Sequence, residues 1–73
     1  MHGRVSRDPY KLASQFREVP DTVYQKGGWV CEVYGTGGLG VVIQTTPQPT
    51  AGASLEEAER ILNNTPSLKG YHL

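Results

Sequence analysis

The sequence predicts an α+β fold: a three-stranded antiparallel meander with an N-terminal and a C-terminal helix. Three observations predict it. The middle of the chain alternates β-branched and aromatic runs with glycine clusters, which is hairpin punctuation. On either side lies a stretch with apolar residues at helical spacing and a capping signal at its start. The length, 73 residues, holds one small domain, so residues 1–73 are read as a single unit.

Residues 1–7 mix basic, polar and small types without periodicity and are expected to fray. A helix start follows at Asp8-Pro9. Aspartate can cap free amides, and proline suits the first helical position, where its missing N–H would have had no partner. Leu12, Ala13, Phe16 and Val19 then recur at near-helical spacing, and Pro20 ends the segment by pushing its predecessor out of the helical region. The spacing predicts a helix over 9–18.

Thr22 to Gln25 is a short β-prone run ended by Lys26-Gly27-Gly28. Trp29 to Tyr34 follows, then Gly35-Thr36-Gly37-Gly38, then Leu39 to Thr45. Period-two alternation puts Trp29, Cys31 and Val33 on one face, and Leu39, Val41 and Ile43 on one face of the next strand. Val30, Glu32, Tyr34, Val42 and Gln44 fall opposite. That second face carries enough apolar surface to call for a cover, either a helix or another subunit.

Thr46-Pro47-Gln48-Pro49-Thr50 reads as a stiff, extended connector. Ser54-Leu55-Glu56-Glu57 matches a capping box, with the serine as cap and Glu57 reaching back. Leu55, Ala58, Ile61 and Leu62 line one side of the predicted helix 54–63, which Asn63-Asn64 and Pro66 end. Leu68 to Leu73 could add a short terminal strand. The bulkiest members of the apolar faces, Trp29, Phe16, Ile43, Ile61 and Leu62, are the predicted core.

Composition narrows the function. Leu, Ile, Val and Phe make up about 22% of the chain, just above the level at which chains stay disordered. A single cysteine, Cys31, excludes an internal disulfide, and no Cys/His cluster offers a structural metal site. Oligomerisation is the remaining common reinforcement for so small a core. Seven basic residues balance seven acidic ones, whereas a dedicated nucleic-acid binder carries a basic surplus. The charges are unevenly placed: Arg4, Arg7, Lys11 and Arg17 sit in the first quarter and form the candidate contact surface for an anionic partner. No apolar run approaches a membrane span, and the start lacks a signal-peptide core. A cytoplasmic protein with a free thiol is expected, with no membrane partner.

The sharpest motif, Gly35-Thr36-Gly37-Gly38-Leu39-Gly40, is a literal GxGxxG. In a dinucleotide-binding fold it joins a strand to a helix; here Val41-Val42-Ile43 follows, a strand-forming run. The pattern also matches the glycine-rich loop of protein kinases, GxGxxGxV, but no lysine, HRD or DFG segment accompanies it. A glycine-rich hairpin turn accounts for the residues without a ligand, and no cofactor is expected. The catalytic inventory is equally thin. His2 and His72 sit near the two ends of the chain, Cys31 is mid-strand among apolar neighbours, and Glu56, Glu57 and Glu59 suit a helix N-terminus. The chain reads as no enzyme.

Gly28-Trp29-Val30-Cys31-Glu32-Val33, followed by a strand and then Glu56-Glu57-Ala58-Glu59-Arg60, resembles the plant ethylene-response type of DNA-binding domain. Arm-binding domains of phage-type integrases share that architecture. The resemblance spans roughly residues 22–62. It implies a three-stranded sheet packed on one helix, the sheet entering the major groove. Base readout draws on cationic and amide side chains, whereas these strands carry only Lys26 as a base and expose Glu32.

The expectation that follows is a small non-enzymatic interaction protein acting as a homo-oligomer, of the kind found among bacterial or phage accessory proteins. Val30, Tyr34 and Val42 are its candidate oligomer interface. A weak nucleic-acid-binding module using the sheet and the basic N-terminal segment is the alternative.

Overall fold

A computed structural model gives the structure of residues 8–73. The elements run β1 (Ala13–Val19), β2 (Gly28–Tyr34), β3 (Val41–Gln44) and α1 (Ala51–Asn63), followed by a single 3-10 turn at Pro66–Leu68. The three strands form one antiparallel sheet in the order β1-β2-β3. The α+β class and the antiparallel sheet match the expectation; the first element does not.

No N-terminal helix is present over 9–18, and residues 13–19 are instead the first strand of the sheet. The start signal at Asp8 is chemically real but stops after one turn. Asp8 Oδ1 accepts from the Tyr10 amide at 2.9 Å, and the Lys11 amide donates to the Asp8 carbonyl at 3.1 Å. Beyond that turn the backbone pairs with β2 over seven registered positions, from Ala13↔Tyr34 to Val19↔Gly28. A short helix is marginal by itself in water, whereas pairing along a whole strand satisfies the same backbone groups.

The run Thr22 to Gln25, read as a strand, is the turn that joins β1 to β2. Thr22 Oγ1 accepts from the amides of Tyr24 and Gln25, and the Thr22 amide donates to the Gln25 carbonyl at 2.9 Å. Threonine competes with ladder bonding in this way. Val23 and Tyr24 are left almost fully exposed at the tip.

At the other end of β2, the glycine motif makes the β2–β3 hairpin turn. The Gly35 amide donates to the Gly40 carbonyl at 2.8 Å, and Gly37, Gly38 and Gly40 all take positive φ, which glycine adopts without a Cβ penalty. The register then slips by one residue: Val33 pairs with Ile43 but Tyr34 pairs with Val41, which leaves Val42 as a bulge. The bulge breaks the expected alternation. Val41 lies across from Tyr34, on the opposite face from Ile43, and Leu39 is an exposed turn residue.

The helix begins at Ala51, three residues earlier than predicted. Thr50, in extended conformation, is its cap and accepts from the Ala53 amide at 3.0 Å. Ser54 is buried within the first turn, its hydroxyl donating to the Ala51 carbonyl at 2.7 Å. Glu57 does not close a capping box. It turns to the connector, where it accepts from Thr46 Oγ1 at 3.0 Å and Gln48 Nε2 at 2.8 Å.

One layer of helix covers one face of the sheet. Cys31 and Val33 of β2 and Ile43 of β3 meet Ala58 and Leu62 of α1, with Leu12 completing the buried cluster. Leu55, Ile61, Leu68, Tyr71 and Leu73 pack around it. Of the predicted core, Ile43 and Leu62 are buried, Ile61 and Trp29 are partly buried, and Phe16 is 43% exposed. Phe16 shares the face of Cys31, its register partner, but α1 lies over β2 and β3 rather than β1. The terminal segment forms no extra strand of the sheet; a single parallel bridge joins His72 to Lys11.

Candidate interaction surface

The face of the sheet turned away from α1 is set by register. Gln15 lies across from Glu32, Arg17 from Val30, and Tyr34 from both Ala13 and Val41. Glu32, in the middle of this face, is held from two sides. Gln15 Nε2 donates to one carboxylate oxygen and Arg17 Nη2 donates to the other, each at 3.3 Å. Arg17 is half exposed, so the ion pair is screened by water and of small energetic weight. Its structural effect is to occupy the cation.

The residues singled out by sequence fall unevenly on this face. Val30 is buried within the chain, Tyr34 is partly buried, and Val42 stands exposed at the bulge. Arg4 and Arg7 lie outside the described residues. Lys11 is exposed beside the terminal bridge, and Arg17 is committed to Glu32.

Sequence reasoning missed the outer edge of β1. The direction of its backbone groups follows from β2. Trp29 exchanges both backbone hydrogen bonds with Gln48, and the Cys31 carbonyl accepts from the Thr45 amide. The odd residues of β2 therefore bond toward β3 and its extension, and Gly28, Val30, Glu32 and Tyr34 bond toward β1. Their partners are Val19, Arg17, Gln15 and Ala13. Ser14, Phe16 and Glu18 accordingly turn their N–H and C=O groups outward. All of β1 except Val19 is exposed, and its ladder with β2 carries no bulge.

The same edge is already used at its near end. Leu12 donates to the His72 carbonyl at 2.7 Å and His72 donates to the Tyr10 carbonyl at 2.9 Å. Tyr10 and Tyr71 meet edge to face at 5.7 Å, a favoured aromatic geometry. His72 Nε2 and Asp8 Oδ2 close the clasp at 2.7 Å. The bond to Asp8, then that to the Leu73 carbonyl, raises the His72 pKa above its ordinary 6.5. The Tyr10 amide, then His72, lowers that of Asp8 below its ordinary 3.8. His72 stabilises the fold when protonated, an effect lost as pH rises through its raised value. Asp8 stabilises it when ionised, an effect lost as pH falls through its lowered value. The clasp is therefore tightest between about pH 4 and pH 6. An NMR titration should find His72 titrating above 6.5 and moving down toward that value in Asp8→Asn; an unshifted His72 in the unaltered chain would contradict the clasp.

Two other titratable groups serve structure. Burial, and behind it the charge of Glu32, pushes the Cys31 thiol up, the reverse of what a nucleophilic thiolate requires. Partial desolvation opposes the charge on Glu57, but hydrogen bonds from Gln48 and Thr46 outweigh it and hold the carboxyl below its usual range. Among the described residues, no group of three or more His, Cys, Asp or Glu is placed to hold a metal ion. No helix there is long and apolar enough to cross a membrane. The glycine turn is flanked by strands on both sides, and Gly37, Gly38 and Gly40 face open space. Comparison with family models, curated proteins and solved structures finds no match for this chain.

Proposed function

We propose that this protein is a non-enzymatic interaction module that works as a homo-oligomer assembled through its sheet. One observation carries the reading: among the described residues a single helix covers β2 and β3 on one face, leaving β1 bare and Phe16, Val41 and Val42 exposed. An 8.0 kDa chain with so small a core gains most from burying such surface against a partner. A symmetric contact with its own copy is the commonest solution among soluble proteins.

The nucleic-acid alternative has the three-stranded sheet on one helix in its favour, the architecture that the sequence resemblance implies. The chemistry of the open face weighs against it. A carboxylate occupies the middle, with Gln15 and Arg17 already turned onto it, so among the described residues this face offers little cationic surface for phosphate.

Light scattering across low to high micromolar concentration tests the reading. The expected result is a mass above 8.0 kDa that falls on dilution, with an unfolding midpoint that rises with concentration. A monomer throughout, with a concentration-independent midpoint, overturns it. Duplex DNA added at two salt concentrations should leave the mobility unchanged; salt-sensitive binding would favour the alternative.

A further inference from the structure

We infer that two copies join by antiparallel pairing of β1 with β1, about a two-fold axis passing at Phe16. The inference rests on the self-association reading and specifies the surface. β1 is a seven-residue, exposed edge without a bulge, whereas β3 has four residues and a bulge, the kind of device that blunts an edge. Backbone pairing at this side of the chain already occurs within the molecule as a single bridge, where His72 bonds to Tyr10 and Leu12.

Hydrogen bonding restricts the register. Outward-facing residues must meet outward-facing residues, so Ser14, Phe16 and Glu18 can pair only with one another. Full overlap sets Phe16 against Phe16 of the second copy, Ser14 against Glu18, Gln15 against Arg17, and Ala13 against Val19. Every charged side chain then faces a neutral or small one, and the two exposed aromatic rings meet beside the axis. A shift by one pair in one direction opposes Arg17 to Arg17, a like-charge contact. A shift in the other direction separates the phenylalanines and leaves Glu18 without a partner. The strand is thus complementary to itself in one register, which is what an isologous contact needs. Directly opposed residues share a face, so both helices lie on the same side of the doubled sheet.

The test uses substitutions at exposed positions. Phe16→Lys sets like charges against each other at the axis and should give the mass of one chain at concentrations where the unaltered protein is dimeric. Phe16→Cys should be trapped as a disulfide-linked dimer by a mild oxidant, because hydrogen-bonded partners lie about 5.5 Å apart at Cα, within disulfide range. Ser14→Cys should resist trapping, since the two positions fall about 13 Å apart along the strand. Amide exchange at Ser14, Phe16 and Glu18 should slow as the dimer forms. A dimer that survives Phe16→Lys, or one in which Ser14→Cys is trapped and Phe16→Cys is not, overturns the β1 pairing while leaving self-association intact. A monomeric unaltered chain overturns both.

Discussion

Leu62→Ala is expected to cost about 2–5 kcal/mol. Leu62 is buried, and it packs from α1 into the cluster formed by Cys31, Val33 and Ile43. Truncation removes the burial of its side chain and leaves a cavity that α1, anchored at Thr50 and through Glu57, cannot easily close. A domain of this length owns roughly 4–11 kcal/mol of stability, so the loss is about half of it. Ile61→Ala is the matched comparison. Ile61 lies at the margin of the same cluster and is only partly buried, so its loss should be clearly smaller. Urea unfolding of the two variants measures the difference, and equal midpoints would show that α1 is rotated from the orientation described.

Gly28→Ala is the second large effect. Gly28 has φ of +148°, and a Cβ there would sit 2.5 Å from the Gln48 carbonyl oxygen. Strained backbone of this kind costs about 1–3 kcal/mol before any collision is counted. Here the atom struck is backbone, so no side chain can move aside. The displaced segment is the one that exchanges hydrogen bonds with Trp29 and supplies Gln48 to Glu57, so the damage should pass from the sheet to the helix. Gly37→Ala provides the contrast: it also has positive φ but faces open space, and should cost roughly 1–2 kcal/mol. Thermal melts of the two variants separate collision from conformation. A Gly28→Ala midpoint at or above that of Gly37→Ala would place the connector farther from β2.

The parts of the fold legible in sequence are those whose cause is local. β2 is rich in β-branched and aromatic residues, is bounded by glycines, and buries Val30, Cys31 and Val33. α1 carries its apolar stripe and ends where Asn64 closes it. β1 has a non-local cause. Both its faces meet solvent, so no alternation of apolar and polar residues marks it as a strand. Four apolar residues at near-helical spacing outweighed a pairing that only β2 could reveal. The bulge at Val42 was hidden for a related reason: the residue is as β-prone as its neighbours, and only the closure of the glycine turn sets the register. Of the residues singled out, period-two alternation places Val30 and Tyr34 on one face of β2, whereas the bulge takes Val42 out of its reach. The β1 edge lies beyond it, because Leu12, Ala13, Phe16 and Val19 carry helical rather than alternating spacing.

The clasp between residues 10–12 and 71–73 also bears on how the chain could be rewired. It brings Asp8 and His72 to within 2.7 Å, while the glycine turn at Gly37 and Gly38 lies open at the end of a hairpin. A circular permutant that links residue 73 to residue 8 through a few flexible residues, and opens the chain between Gly37 and Gly38, would keep every buried contact of the core cluster. Chain order would change, since β3 and α1 would then precede β1 and β2. New ends are best tolerated at exposed turns, and a link across neighbouring segments adds little loop-closure entropy. The β2–β3 hairpin would become a long-range pairing in the permuted chain, so its folding should slow even where the final structure is unchanged.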